Sequence, residues 1–266
     1  VSTELNENLN IQKSPIHLGA GISNIIFHSG KIIVGLDYSS SAGMVSIDIS
    51  NGLTLDKLFY PKKLSYGLEY LYSVKDMSID GKDNIWVISD NSENEPLSVF
   101  SGNDNRPILI AESEGNLNKN AQTITVDNFN RVWMGSPSGL VMYKYSGDVL
   151  NPSAEVWTTE DVNPGMPKRN PLAINVSDKN RLWILTSVGL LYKNIQFSET
   201  NPISETGPLG NNNELYPYFP NGVFDRESKI RFDSRGNVWV TSQTDGVHII
   251  NENGEYWPDI NGLNTS

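Results

Sequence analysis

One short phrase of sequence, built around tryptophan, is written four times in this chain, and its period limits the fold more than any other feature. The copies read Ser78-IDGKDNIWVIS-Asp90, Thr125-VDNFNRVWMGSPSG-Leu140, Asn175-VSDKNRLWILTSVG-Leu190 and Arg231-FDSRGNVWVTSQTDG-Val247, which places Trp86, Trp133, Trp183 and Trp239 at intervals of 47, 50 and 56 residues. Asp80, Asp127 and Asp233 each stand six residues before their tryptophan, while the third copy carries Ser177 in that slot and slips its aspartate to Asp178. A hydroxyl follows each tryptophan by three residues (Ser89, Ser136, Thr186, Ser242), and Gly139, Gly189 or Gly246 follows in the last three copies. Self-similarity at this period predicts a propeller or a solenoid.

The residue types inside a copy decide between them. Val, Ile and Trp fit a half-buried pleated face, and the Asp, Asn and Gly between Asp80 and Asn84 supply a tight reversal, so each copy begins as a hairpin. Third strands are expected at Leu97–Ser101, Gly139–Lys144, Gly189–Lys193 and Gly246–Ile250. Fourth strands are expected at Pro107–Ala111, Glu155–Thr158 and Glu255–Ile260. Four antiparallel strands in about 50 residues make a propeller blade, and the chain sustains no helical apolar spacing of the kind that helical solenoids need. A fifth, degenerate copy precedes the others, with Ile33 in the tryptophan slot. The expected fold class is therefore all-β: a β-propeller of four-stranded antiparallel blades at about 22–60, 73–112, 120–159, 170–200 and 226–260, forming a single domain over 1–266 or part of one. In this reading the tryptophans pack between blades, because their large rings contribute most where they are buried. Asp80, Asp127 and Asp233 close Asx-type turns.

The pattern [IM]-x-x-D-x-x-x-[NR]-[IVL]-W-x-x-[ST], followed by G-[LV], resembles the two-component regulator propeller repeat. The resemblance covers four copies well and one weakly. It implies extracytoplasmic sensor halves of hybrid sensor kinases, or secreted and surface proteins including some that serve type IX secretion, with about seven blades in the ring. The Asp-x-x-Gly-Asn-[IVL]-Trp core is also similar to that of the streptogramin lyases, whose propellers carry a metal-assisted His and Glu site. Here the three histidines, His17, His28 and His248, are scattered, and none stands beside another His or Glu at a spacing that would share a loop.

Composition narrows the function further. The chain has 266 residues, no cysteine and a net charge of −11, so thiolate chemistry and Cys-based zinc sites are excluded and phosphate backbones are repelled. Nucleic acid is not an expected partner. No apolar run reaches the roughly 18 residues of a membrane span, so direct membrane insertion is not expected either. No nucleophile–base motif, P-loop or HExxH is present, and no catalytic residue, cofactor or metal is assigned. Calcium would need about six to eight oxygens, whereas the Asp127 and Asp233 turns each hold one carboxylate, and Arg131, Arg181 and Arg235 put a competing positive charge close by in three of the copies.

Recognition is expected on the long connectors between blades, since loops on a rigid scaffold collect binding residues. The candidates are Tyr66, Tyr70 and Tyr72 on one connector, and Asn212, Glu214, Tyr216, Tyr218 and Phe219 on another. Their mix of flat rings and hydrogen-bonding groups suits a protein, peptide or glycan partner; packing against neighbouring blades is the competing role. The expected function is a non-enzymatic periplasmic, extracellular or cell-surface propeller acting as sensor or scaffold. A propeller lyase or hydrolase and an architectural subunit of a surface or secretion assembly are the alternatives. The readable blades leave two sheet edges, which predicts completion by further blades or subunits.

Overall fold

A computed structural model describes residues 21–37, 43–50, 54–59, 73–90, 97–101, 108–110, 121–136, 139–146, 153–157, 170–198, 203–209, 217–242, 244, 246–251 and 253–256. Every regular element among them is a strand, and the strands form five antiparallel sheets. The first sheet runs Gly21–His28 (β1), Lys31–Asp37 (β2), Met44–Asp48 (β3) and Thr54–Phe59 (β4). The second is Ser73–Ile79 (β5), Ile85–Asp90 (β6), Leu97–Phe100 (β7) and Ile108–Ile110 (β8). Thr123–Val126 (β9), Arg131–Ser136 (β10), Gly139–Ser146 (β11) and Ser153–Trp157 (β12) form the third. Ala173–Val176 (β13), Arg181–Thr186 (β14), Gly189–Ile195 (β15) and Ile203–Gly207 (β16) form the fourth, and Ile230–Phe232 (β17), Val238–Ser242 (β18) and Gly246–Ile250 (β19) the fifth. Strands pair in chain order, so each sheet is an up-and-down meander, the topology of a propeller blade.

Two elements differ from the sequence expectation. β16 lies inside the stretch from Ser198 to Arg226 that the sequence reads as a connector, since Ile203-Ser-Glu-Thr lacks the apolar run by which the other strands are recognised. The fourth strand expected at Glu255–Ile260 is seen only as a bridge between Ile250 and Tyr256, the residues beyond lying outside the described set.

The chain divides into two compact units, residues 1–119 with 146–153, and residues 120–145 with 154–266. Within each, one packing rule repeats. In the first unit Ile33, Met44 and Phe59 of the first blade pack against Val74, Met77, Ile85, Val87 and Phe100 of the second, so Ile33 does at this position what tryptophan does elsewhere. In the second unit Trp133, Leu140 and Met142 pack against Ile174, Leu182 and Ile184 of the next blade. Trp183, Leu185 and Leu190 in turn pack against Ile230, Val238, Val240 and Ile250. Trp86, Trp133 and Trp183 are buried and Trp239 half-buried, each on the second strand of its blade.

The hairpin turns repeat in detail. Asp80, Asp127, Ser177 and Asp233 each accept, at their carbonyl, the amide of the residue three further on. That residue is left-handed in every copy: Asp83 (φ 64°), Asn130 (58°), Asn180 (57°) and Gly236 (80°). Asn, Asp and Gly tolerate this conformation best, which is why they recur there. At the other end of the hairpin the repeated hydroxyl bonds the glycine carbonyl, Ser136 Oγ at 3.3 Å from Gly139 O and Thr186 Oγ1 at 3.0 Å from Gly189 O.

Candidate functional site

The repeated aspartate does more than close its turn. In the second blade Asp80 Oδ1 accepts the amides of Lys82 and Asn84 at 2.8 and 2.9 Å, and Oδ2 accepts Asn84 Nδ2 and the Trp86 indole Nε1–H, both at 2.9 Å. The third blade substitutes a cation for the amide. Asp127 Oδ1 takes the Phe129 and Arg131 amides at 2.8 and 2.9 Å, and Oδ2 takes Arg131 Nε at 2.6 Å and Trp133 Nε1–H at 2.8 Å. Asp233 repeats the arrangement with Arg235, Asn237 and, at 3.1 Å, Trp239 Nε1–H. Its carboxyl is held down at about 2, first by the Asn237 side chain and then by the Trp239 indole and the turn amides. Each of the three aspartates thus ties its hairpin turn to the tryptophan ring of the second strand, a link beyond the Asx-type turn.

The fourth blade breaks the lock. Ser177 Oγ reaches only the Arg181 amide, at 3.3 Å. No carboxylate stands in the slot, and Arg181 Nε turns instead to Asn194 Oδ1 at 2.9 Å, its guanidinium 4.2 Å from the Tyr192 ring centre and 5.5 Å from that of Trp183. Among the described residues nothing accepts the Trp183 Nε1–H, although only 1% of that residue is exposed.

A cavity of about 400 Å³ opens at this point, between the turns of the fourth and fifth blades. Ser177, Asp178, Lys179, Arg181, Trp183 and Asn194 line one side; Phe232, the turn from Asp233 to Gly236, and Asn253 line the other. Its size falls in the range of small-molecule sites, and the mixture of ring edges with converging polar groups is what such sites use to orient a ligand. At the corresponding place between the third and fourth blades the turns are tied directly, Asn128 Nδ2 donating to Asn180 Oδ1 at 2.7 Å. In the first unit His28 Nε2 meets Asp83 Oδ1 at 2.6 Å between the first two turns.

Antiparallel topology places this cavity at the opposite end of the blade from the connectors. A first strand ends, and a third strand ends, at the aspartate turn; the second-to-third turn and the connector to the next blade lie at the other end. The connector candidates divide accordingly. Tyr66, Tyr70, Tyr72, Asn212, Glu214 and Tyr216 lie outside the described residues. Tyr218 and Phe219 are placed, and they are packing residues. Tyr218 exchanges backbone hydrogen bonds with Leu190, and its ring stands 6.0 Å from those of Trp183 and Tyr256, burial raising its phenol pKa. Phe219 belongs to the core shared by the fourth and fifth blades and contacts the half-buried His248 ring at 4.8 Å. Asp225 caps a local turn by accepting the Glu227 and Ser228 amides. Among the described residues no three His, Asp or Glu side chains converge as a metal site would require, and no helix is long and apolar enough to cross a membrane.

No family model matches the chain, and no curated protein does. Solved structures do. The extracellular domain of the hybrid two component system BT3049 from B. thetaiotaomicron aligns at 17% identity over 91% of this chain and 28% of its own, with a TM-score of 0.57. PorZ, an essential bacterial surface component of the type-IX secretion system of Porphyromonas gingivalis, aligns at 14% identity over 94% of this chain and 35% of its own, with a TM-score of 0.61. Virginiamycin B lyase from Staphylococcus aureus gives 14% identity, 96% and 74% coverage and a TM-score of 0.57. The chain therefore spans about a third or less of the first two. At such identities the likeness is one of fold, and it agrees with the propeller repeat and with the resemblances read from the Asp–Trp phrase.

Proposed function

We infer that this chain is a recognition module, a non-enzymatic propeller segment that binds a ligand or partner outside the cytoplasm as part of a sensor or a surface assembly. The observation that carries this reading is the cavity between the fourth and fifth turns. It offers Arg181, Asn194, Ser177 and an indole edge at one point, without a nucleophile and base in hydrogen-bond contact. The extracellular and surface proteins whose folds it shares support an extracytoplasmic setting.

The lyase reading draws support from the coverage of the S. aureus enzyme. Against it stands the environment of His248, whose ring is packed on Phe219 and Phe224 rather than presented to a cavity. The two readings separate in one experiment. The purified chain is screened for saturable binding by scanning fluorimetry and isothermal titration, and in parallel incubated with quinupristin, the compound solved together with the S. aureus lyase, under mass spectrometry. Recognition predicts a binder whose affinity falls in Asn194→Ala, with no mass change in quinupristin. Turnover of quinupristin would establish the lyase reading instead.

A further inference from the structure

The fourth blade is a natural deletion of a carboxylate from a site otherwise built to hold one. In the third blade a buried carboxylate sits at the centre of the Arg131 guanidinium, the Trp133 indole and two turn amides. The fourth blade keeps the left-handed Asn180, an arginine at 181 and the tryptophan at 183, and changes the aspartate to Ser177. The arginine and the indole that surround the carboxylate in the third blade are kept while a hydroxyl replaces the carboxylate, and the space beside them is a cavity.

We propose that this cavity binds a carboxylate-bearing ligand, whose carboxylate stands in for the missing aspartate and accepts the Trp183 indole N–H, the Ser177 hydroxyl and a charge-assisted bond from Arg181. The proposal rests on the recognition reading above and names the chemistry that the site selects. Three features point the same way. Trp183 Nε1–H is the donor that every other tryptophan of the repeat spends on a carboxylate, and its ring is otherwise enclosed. The lining carries three cations, Lys179, Arg181 and Arg235, against two carboxylates, Asp178 and Asp233, and the Asp233 carboxylate already accepts four donors from its own hairpin. Arg181 is stacked on Tyr192 and held by Asn194, which fixes the plane of the guanidinium as a bidentate carboxylate partner requires. The rest of the cavity, with Phe232, Asn194 and Asn253, accommodates the body of such a ligand, and an uncharged isostere gives up the charge-assisted bonds.

The test uses benzoate and benzamide as a matched pair, followed by nuclear magnetic resonance on the ¹⁵N-labelled chain, with the Trp183 indole signal assigned from Trp183→Phe. Benzoate is expected to shift the Trp183 indole signal saturably at millimolar to tens of millimolar concentrations, and benzamide to bind at least about tenfold more weakly. Ser177→Asp supplies the carboxylate from within. It should move the free indole signal toward the positions of Trp86 and Trp133, raise the melting temperature, and abolish the benzoate response. Ser177→Ala keeps the cavity, the indole and Arg181 but removes one proposed donor, so benzoate should still shift the Trp183 signal saturably while binding a few-fold more weakly, which separates loss of the site from loss of the fold. Equal binding of benzoate and benzamide, or a benzoate response that survives in a folded Ser177→Asp, overturns the carboxylate assignment while leaving a recognition cavity in place. A Trp183 signal that no carboxylate moves, in a chain whose binders from the general screen act elsewhere, overturns it as well.

Discussion

Of the described aspartate turns, the one at Asp127 should lose most when its carboxylate is removed, as in Asp127→Ala. The Asp127 carboxylate is fully buried and the Arg131 side chain nearly so, with Nε and Oδ2 2.6 Å apart. Removing one partner of a buried pair strands the other charge, a loss of roughly 3–5 kcal/mol. Trp133 Nε1–H and the Phe129 and Arg131 amides lose their acceptor at the same time, and a buried donor left without one costs about 1–3 kcal/mol. These losses share one carboxylate and do not add, so the expected total is about 4–6 kcal/mol, a large part of the roughly 5–15 kcal/mol available to a typical domain. Asp80→Ala removes the same indole and turn acceptor but faces Asn84 where the third blade has arginine, and should cost less, about 2–3 kcal/mol. Urea denaturation followed by tryptophan fluorescence measures both, with a constant m-value as the check that one transition is being compared. Arg131→Met in the Asp127→Ala background should recover part of the loss. A loss for Asp127→Ala within about 0.5 kcal/mol, as for a surface change, would refute the account of the aspartate as an internal lock.

Trp183→Ala should cost roughly 3–5 kcal/mol, since the ring lies in the core between the fourth and fifth blades; a loss of a few tenths would mean that the packing is wrong. Gly189→Ala should destabilise sharply, because Gly189 has φ 124° and an added Cβ would lie 2.3 Å from the Tyr218 carbonyl oxygen; an unchanged melting temperature would contradict that close approach. Lys193 is buried with Nζ 3.2 Å from Thr206 Oγ1, and burial lowers its pKa from 10.5 to about 7. Below about pH 7 both states are charged and the full burial cost is felt; between about 7 and 10.5 the unfolded chain binds the extra proton, so stability rises with pH across that window. Lys193→Met should therefore stabilise most near neutral and acid pH and least at about pH 10, and a pH-independent difference would dismiss the effect. Asp233, held at about 2, contributes stability above its ordinary 3.8 that is lost as pH falls from 3.8 toward 2; Asp233→Asn should flatten the acid limb of the pH–stability curve in that interval.

The blades were legible in the sequence because each level of the code repeated the same instruction. Tryptophan at a fixed distance from aspartate marked the second strand, Asn, Asp or Gly three residues after the slot marked the left-handed turn, and the later glycine marked the start of the third strand, so that β19 begins and ends at the residues expected, Gly246 and Ile250. Ile33 was recognisable as a tryptophan substitute because strand, turn and strand surrounded it in the same order, and it packs on the second blade as the tryptophans of the second unit pack on theirs. β16 was not legible because its pairing partner carries the information. Ile203 and Thr206 are ordinary loop residues until Ile195 and Lys193 stand opposite them.

The proposed site is less legible for a related reason: its cavity stands where one copy lacks a residue that the others carry. Of the connector candidates, Tyr218 and Phe219 pack their rings on Trp183, Tyr256 and His248, and the others lie outside the described residues. The slip from aspartate to Ser177 was visible in the alignment of the copies, and its consequence followed only once the indole N–H of the other blades was seen to end on that carboxylate. A repeat protein has few ways to make one position unlike the rest without weakening a blade. Losing a carboxylate while keeping its arginine and tryptophan is one of them, because the blade interface built by Trp183, Leu185 and Leu190 remains intact and only the polar end of the lock is opened.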